Sequence, residues 1–249
     1  MPKKKIKPNP EPAVTVSQLP LMWLKAAYKF HTYAYRDPRS AFASAAGSPV
    51  VSPTTVLLGI VSTLFSLGKE NEAKSFLSTV HNCSVIVDTP AVVIFFRAFH
   101  QLRRYETDKY DKQNPRLGLT NINQGTREYG LVEGQTIIYV GIPEDHAEAA
   151  KLALTNLEHL GTHDSMCSLI GSVANCSKPK DVVYMPPEQW KTDIHPGCTA
   201  VTLSRFKNTP VTQTLPHWWM AGGNNTEQVP YFIRGRFEGT SKGKIYRKR

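Results

Sequence analysis

The chain is short of cysteine, of acidic residues relative to basic ones, and of any long apolar run. Four of its 249 residues are cysteine (Cys83, Cys167, Cys176 and Cys198), and no two stand in a C-x-x-C pair. That spacing excludes a dense disulfide framework and a zinc knuckle, and reduced thiols of a cytosolic protein fit it. No apolar stretch approaches the roughly 20 residues that a membrane-spanning helix needs. The opening MPKKKIKPNPEP lacks the apolar region of a secretory signal. A cytoplasmic location without membrane contact is therefore expected. Metal and nucleotide chemistry are poorly served as well. His159 and His163 with Asp164 are interrupted by Gly161, and His195 with Cys198 is an isolated pair, so neither supplies four ligands. No acidic cluster suits two-metal catalysis. The stretch from Gly239 to Lys244 fails the P-loop spacing. No metal and no cofactor are expected.

What the chain does have is positive charge. Thirty lysines and arginines face 20 acids, a formal net charge of +10. Such an excess favours polyanions, because each phosphate contact releases condensed counterions. A merely solvated basic surface is the plainer alternative. Hydrophobic residues make up 41 % of the chain, enough for a substantial core.

Residues 1–18 read as a disordered basic arm, because their prolines interrupt helix and strand. From Leu24 to Tyr35 the pattern has period two, as in a half-buried strand. Leu24, Ala26, Tyr28 and Phe30 lie on one face, and Lys25, Ala27, Lys29, His31, Tyr33 and Tyr35 on the other. Cations interleaved with rings suit phosphates and stacked bases, while ordinary β-propensity explains the tyrosines equally well. After a long loop of small residues, Val56, Leu57, Ile60, Val61, Leu64 and Phe65 predict a helix from about Thr54, ended by Gly68. A shorter helix from Glu70 to Val80 and strands over Val85–Val87 and Ala91–Phe99 follow. Residues 101–128 then lose all pattern. They are polar, and Arg103, Arg104, Tyr105, Lys109, Tyr110 and Arg116 lie among them. A structureless insert this long is usually functional or disordered. Thr136–Val140 predicts a strand and Glu144–Leu160 a helix with Gly161 just past its end. A last strand falls within Cys167–Ala174. The order is that of a ferredoxin-like β-α-β-β-α-β unit, a topology shared by many RNA binders and many other proteins. Residues 177–249 read as a small, mainly β extension with a basic tail that includes Lys242, Lys244, Arg247, Lys248 and Arg249.

Two motifs carry a family resemblance. Tyr35-Arg36-Asp37-Pro38 followed by Pro53-Thr54-Thr55-Val56-Leu57-Leu58-Gly59 resembles the strand, loop and helix opening of the CRISPR-associated Cas-five family, a RAMP-superfamily subunit of type I Cascade complexes. His159-Leu160-Gly161-Thr162-His163-Asp164-Ser165 resembles that family's glycine turn. The resemblance covers roughly residues 20–175.

It implies a ferredoxin-like (RRM-like) RAMP domain over residues 19–176, with residues 101–128 as an inserted thumb. It further implies a subunit in a prokaryotic cytoplasm that binds the 5′ handle of the guide crRNA and caps the complex. Its partners would be the backbone subunit, the large subunit and target DNA near the protospacer-adjacent motif. The residues implied for RNA are Lys29, His31, Tyr33, Tyr35, Arg36, Arg39, Arg103, Arg104, Tyr105, Lys109, Tyr110, Arg116 and Gly161. From charge alone the basic tail is assigned to the DNA duplex. Some relatives cleave guide precursors without metal, which requires a base for the 2′-OH and a cation for the phosphorane. No Lys-His pair of that kind is recognisable here, so a non-catalytic role is expected. Metal-independent endoribonuclease and general RNA-binding module are the alternatives.

Overall fold

The computed structural model describes residues 20–35, 44–45, 47–103, 122–161, 164–189, 197–211, 225–240 and 243–249. Among the described residues the fold is mixed α/β, with three mostly antiparallel sheets and few helices. In chain order the elements are β1 (Leu21–Phe30), β2 (Ser44–Ala45), α1 (Pro53–Ser66), α2 (Glu70–Thr79), β3 (Ser84–Asp88), β4 (Val92–Arg103), β5 (Ile122–Glu133) and β6 (Thr136–Pro143). They continue with α3 (Ala147–Thr155), β7 (Cys167–Leu169), β8 (Ala174–Cys176), β9 (Tyr184–Met185), β10 (Cys198–Phe206), β11 (Thr226–Arg234), β12 (Arg236–Thr240) and β13 (Gly243–Arg247).

The central sheet has the order β3-β6-β1-β7, and β8 also pairs with β1. Each neighbouring pair is antiparallel. The chain thus runs strand, helices, strand, strand, helix, strand, with β4 and β5 inserted between the second and third strands of this frame. The alternation in β1 is real: Leu24, Ala26, Tyr28 and Phe30 are buried, whereas Lys25 and Lys29 are exposed. The Tyr28 hydroxyl donates to the Leu154 carbonyl at 2.5 Å, tying β1 to the end of α3. In α1, Pro53 occupies the first turn, where its missing N–H costs nothing, and Val56, Leu57, Ile60, Val61 and Leu64 are buried. Gly68 ends that run at φ +70°, which glycine adopts without Cβ strain.

Four sequence expectations change. First, β1 ends at Phe30 rather than Tyr35. His31 N–H donates to Met166 O at 2.9 Å and Thr32 Oγ1 to Asp164 O at 2.5 Å, so the chain bends out of the central sheet. Tyr33 then bridges to Gly130 of β5, and the period-two count no longer applies. Second, the helix expected to reach Leu160 stops at Thr155, where Asn156 caps it through a side-chain bond to Leu152 O at 2.9 Å. Leu157 and Leu160 are buried as the stripe implied, yet in a non-helical segment. They close on Gly59, where a Cβ would meet both leucines at 3.3 Å. Gly161 therefore lies in a later turn and does not cap the helix. Third, the last frame strand is split into β7 and β8, both on β1. Fourth, the unpatterned 101–128 segment begins and ends in strand: β4 and β5 form a long hairpin paired from Val92↔Glu133 to Arg103↔Ile122.

The C-terminal strands do not stand apart from the rest. β10-β11-β9 form a lateral sheet against the start of α1: Ser204 N–H donates to Ser52 Oγ at 2.9 Å and Tyr184 OH to Val51 O at 3.2 Å. β12 and β13 extend the hairpin into a five-stranded sheet of order β12-β13-β4-β5-β2. Tyr246 of β13 is fully buried; its hydroxyl donates to Arg234 O and accepts from Thr89 Oγ1. One contiguous core joins all three sheets, from Leu24 and Ile60 to Phe95, Leu203 and Tyr246.

Candidate nucleic-acid interface

The helices cover one face of the central sheet and leave its other face largely open. On that face, β1 presents Trp23, Lys25, Ala27 and Lys29. The register sets Lys25 between Tyr139 and Ala174, Ala27 beside Ile137, and Lys29 beside Ser168. Lys25 Nζ lies 5.9 Å from the centre of the Tyr139 ring, within cation–π range. Just past β1, exposed His31 shares a 2.9 Å hydrogen bond between its Nε2 and Ser168 Oγ. Alternate positions on a strand share a face about 6.6 Å apart, so Lys25 and Lys29 form a cationic strip, with the Tyr139 ring beside Lys25 and the His31 ring joined to it through Ser168. Burial, with Asp88 and Cys176 adding to it, raises the Tyr139 phenol above its ordinary pKa, so it remains a protonated donor. Asp88 is the one carboxylate on the described strand positions of this face. Lys248 Nζ neutralises it at 2.6 Å. The face is therefore cationic at Lys25 and Lys29, and its acid is paired.

Trp23 is on the same face but is no free platform. Its ring lies over Gly141, where a Cβ would come within 2.9 Å, and only 9 % of the residue is exposed. Lys178 Nζ lies 6.0 Å from that ring. The sequence reading overlooked Trp23, Tyr139 and Lys178 as members of this face. The alternation of Tyr139 with buried Ile138 and Val140 was the available signal for one of them.

The other expected residues have different fates. Lys29 and His31 are exposed on the face. Tyr33 and Tyr35 are not: they are 3 % and 9 % exposed and serve the core. Tyr33 OH donates to Ser48 O at 2.7 Å. Tyr35 OH donates to Ser52 Oγ and accepts from Thr55 Oγ1 at 3.2 Å. Burial pushes the Tyr33 phenol far above its usual range. Gly161 lies at φ +93° with the Tyr35 ring 3.1 Å from where a Cβ would sit, so packing accounts for the glycine. Beside it is an open pocket of about 230 Å³ lined by Thr55, Leu58, Gly59, Ser62, Thr63 and His159, without a lysine or arginine. Arg103 closes β4. Arg36, Arg39, Arg104, Tyr105, Lys109, Tyr110, Arg116, Lys242 and the arm 1–18 lie outside the described residues, as do Trp218 and Trp219.

The basic tail is engaged by the fold. Lys244 Nζ sits 3.1 Å from Glu128 and 2.9 Å from the Gly47 carbonyl, with the Phe95 and Phe237 ring centres at 4.7 and 5.3 Å. Burial by itself would raise the Glu128 carboxyl. The Gly47 N–H, Lys244 and Arg97 outweigh it and hold the carboxyl below its ordinary value. Arg247 pairs with Glu238 at 3.2 Å, and the Arg249 side chain passes Gly197.

Among the described residues, no three His, Cys, Asp or Glu side chains gather as metal ligands would. Burial pushes the Cys83 and Cys167 thiols up to about 12, so neither is a thiolate at neutral pH. No described helix is long and apolar enough to cross a membrane.

No known family model matches the chain, and no curated protein matches it. Among solved structures, a CRISPR protein from Archaeoglobus fulgidus matches with a TM-score of 0.39 and 12 % identity, over 92 % of this chain and 100 % of that one. A likeness this distant carries neither fold nor function across.

Proposed function

We propose that this chain is a non-catalytic RNA-holding subunit of a type I CRISPR surveillance (Cascade) complex, built on a ferredoxin-like RAMP unit and gripping the 5′ handle of the guide RNA. The observation that carries the RNA reading is the open face of the central sheet, where Lys25 lies beside Tyr139, Lys29 follows on the same strand face, His31 bonds Ser168, and the one carboxylate on the face's described strand positions is neutralised by Lys248. Such a strip holds a phosphate backbone, and the adjoining ring offers a base a stacking surface. The frame supports the finer reading in two ways. Its strand order, with β1 between the third and fourth frame strands, is that of a ferredoxin-like unit. The β4–β5 hairpin is also inserted where the resemblance calls for a thumb.

On this reading the partners are the guide crRNA, the backbone subunit, the large subunit and target DNA near the adjacent motif. The chain positions RNA and does not cut it. The test is to purify the chain with its neighbouring gene products and sequence the RNA that comes with it. Guide-length RNA with a constant 5′ end supports the proposal; bulk ribosomal RNA defeats it. Incubation of the chain alone with labelled repeat RNA, with and without EDTA, should leave the RNA intact. Site-specific cleavage would make it a processing endoribonuclease instead.

A further inference from the structure

The hairpin sheet also has an open face, of opposite character. The pairing of β12 with β13, β13 with β4 and β4 with β5 arranges its outer residues in rows. One row reads Arg236, Arg247, Val92, Glu133, and the next reads Glu238, Ile245, Ile94, Leu131. Phe96 follows beside Tyr129, their rings stacked at 6.0 Å and 28°. Ile94 and Phe96 are each 41 % exposed and Leu131 58 %. A sheet face with contiguous exposed aliphatic and aromatic side chains is a binding surface or an aggregation hazard.

The order of charges along the first row points to the occupant. It opens with two arginines on β12 and β13 and closes with Glu133 on β5. Turn a second copy by a half rotation about an axis parallel to the strands, midway between β13 and β4. The operation exchanges β12 with β5 and β13 with β4. Arg236 then faces Glu133 of the other copy, so opposite charges meet at both ends of the first row, where Arg247 falls opposite Val92; in the second row Ile245 faces Ile94, so aliphatic side chains meet at its centre. Glu238 falls opposite Leu131, with its carboxylate drawn to Arg236 at 2.9 Å and Arg247 at 3.2 Å. Two sheets stacked face to face in this way sit about 10 Å apart, and a two-fold axis requires a self-complementary patch of this kind.

We propose that the outer face of the hairpin sheet is a self-association surface, on which a second copy of this chain packs about a two-fold axis. The proposal does not rest on RNA binding. It uses the base of the β4–β5 hairpin, a different surface from the central sheet face.

Sedimentation velocity of the full chain, treated with nuclease and followed over a wide concentration range, tests it. A reversible dimer is expected. Phe96→Asp should give a monomer with an unchanged melting temperature, because Phe96 is outside the core. Glu133→Arg should weaken dimerisation about tenfold or more by setting like charges face to face, and Glu133→Arg combined with Arg236→Glu should restore it. A wild-type chain that stays monomeric throughout would overturn the proposal, as would a Phe96→Asp dimer or a charge exchange that fails to rescue. A monomer that loses RNA affinity on Phe96→Asp would likewise overturn it and give the face to nucleic acid.

Discussion

The central sheet and the hairpin sheet are built alike and finished differently. Each buries one face in the shared core and turns the other outward. On the central sheet the outward face carries Lys25 and Lys29 with Tyr139 between strands. On the hairpin sheet it carries Ile94, Phe96 and Leu131. Among the described residues, the open face of the central sheet carries Lys25 and Lys29 with its acid paired, whereas the middle of the hairpin face is aliphatic and its arginines are paired with Glu238. Fold alone does not choose between these partners; the residues at alternate strand positions do.

The sharpest way to break the comparison is to ask whether the two sheets are one folding unit. Tyr246 sits on β13, 0 % exposed, and holds the C-terminal strands to the core. Tyr246→Ala should cost about 3–5 kcal/mol, the usual penalty for emptying a large aromatic site. It should lower the urea midpoint of the whole chain in a single transition. Two separated transitions would show the C-terminal region to be an independent extension.

The second test separates the two outer faces by function. Lys25→Glu with Lys29→Glu should weaken RNA binding about tenfold or more at low salt, with thermal stability unchanged. Phe96→Asp should leave RNA affinity intact. Equal losses in the two variants would erase the distinction.

The smallest effect concerns the link between the loop at Gly47 and the hairpin sheet. The Glu128 carboxyl is held below its ordinary value in the folded chain. Its contribution to stability is therefore present above the unfolded-state value of about 4.3 and lost as pH falls through the folded value. Urea midpoints of the wild type should drop in that acid range. Glu128→Gln should be less stable at neutral pH and should show a flatter acid slope. An unaltered slope would mean that Lys244 and Gly47 do not stabilise the ionised form.

Much of the central sheet was legible because its signals are local. The alternation from Leu24 to Phe30 and the stripe from Val56 to Leu64 each report burial through a fixed period. Tyr33 and Tyr35 defeated the same logic because backbone bonds from distant Met166 and Gly130 bend the chain at residues 31–33. Leu157 and Leu160 mimicked a helix because burial against Gly59 needs no helical backbone. The hairpin sheet was illegible for a related reason. Its β13–β4 pairing joins residues such as Tyr246 and Val93 across most of the chain, and nothing in either segment names the other. Of the candidate site, Lys29 and His31 were read from sequence. Tyr139 joins them only through the β1–β6 register, and the Lys248–Asp88 pair only through the tertiary fold.

The salt dependence of RNA binding tests the central claim most directly. For single-stranded RNA, each phosphate that a cation neutralises steepens the slope of log affinity against log salt by about 0.7. Measured on the wild type and on the Lys25→Glu, Lys29→Glu variant, the slope should become shallower by about 1.4, at an unchanged melting temperature. Identical slopes and affinities in the two proteins would contradict the assignment of RNA to the open face of the central sheet.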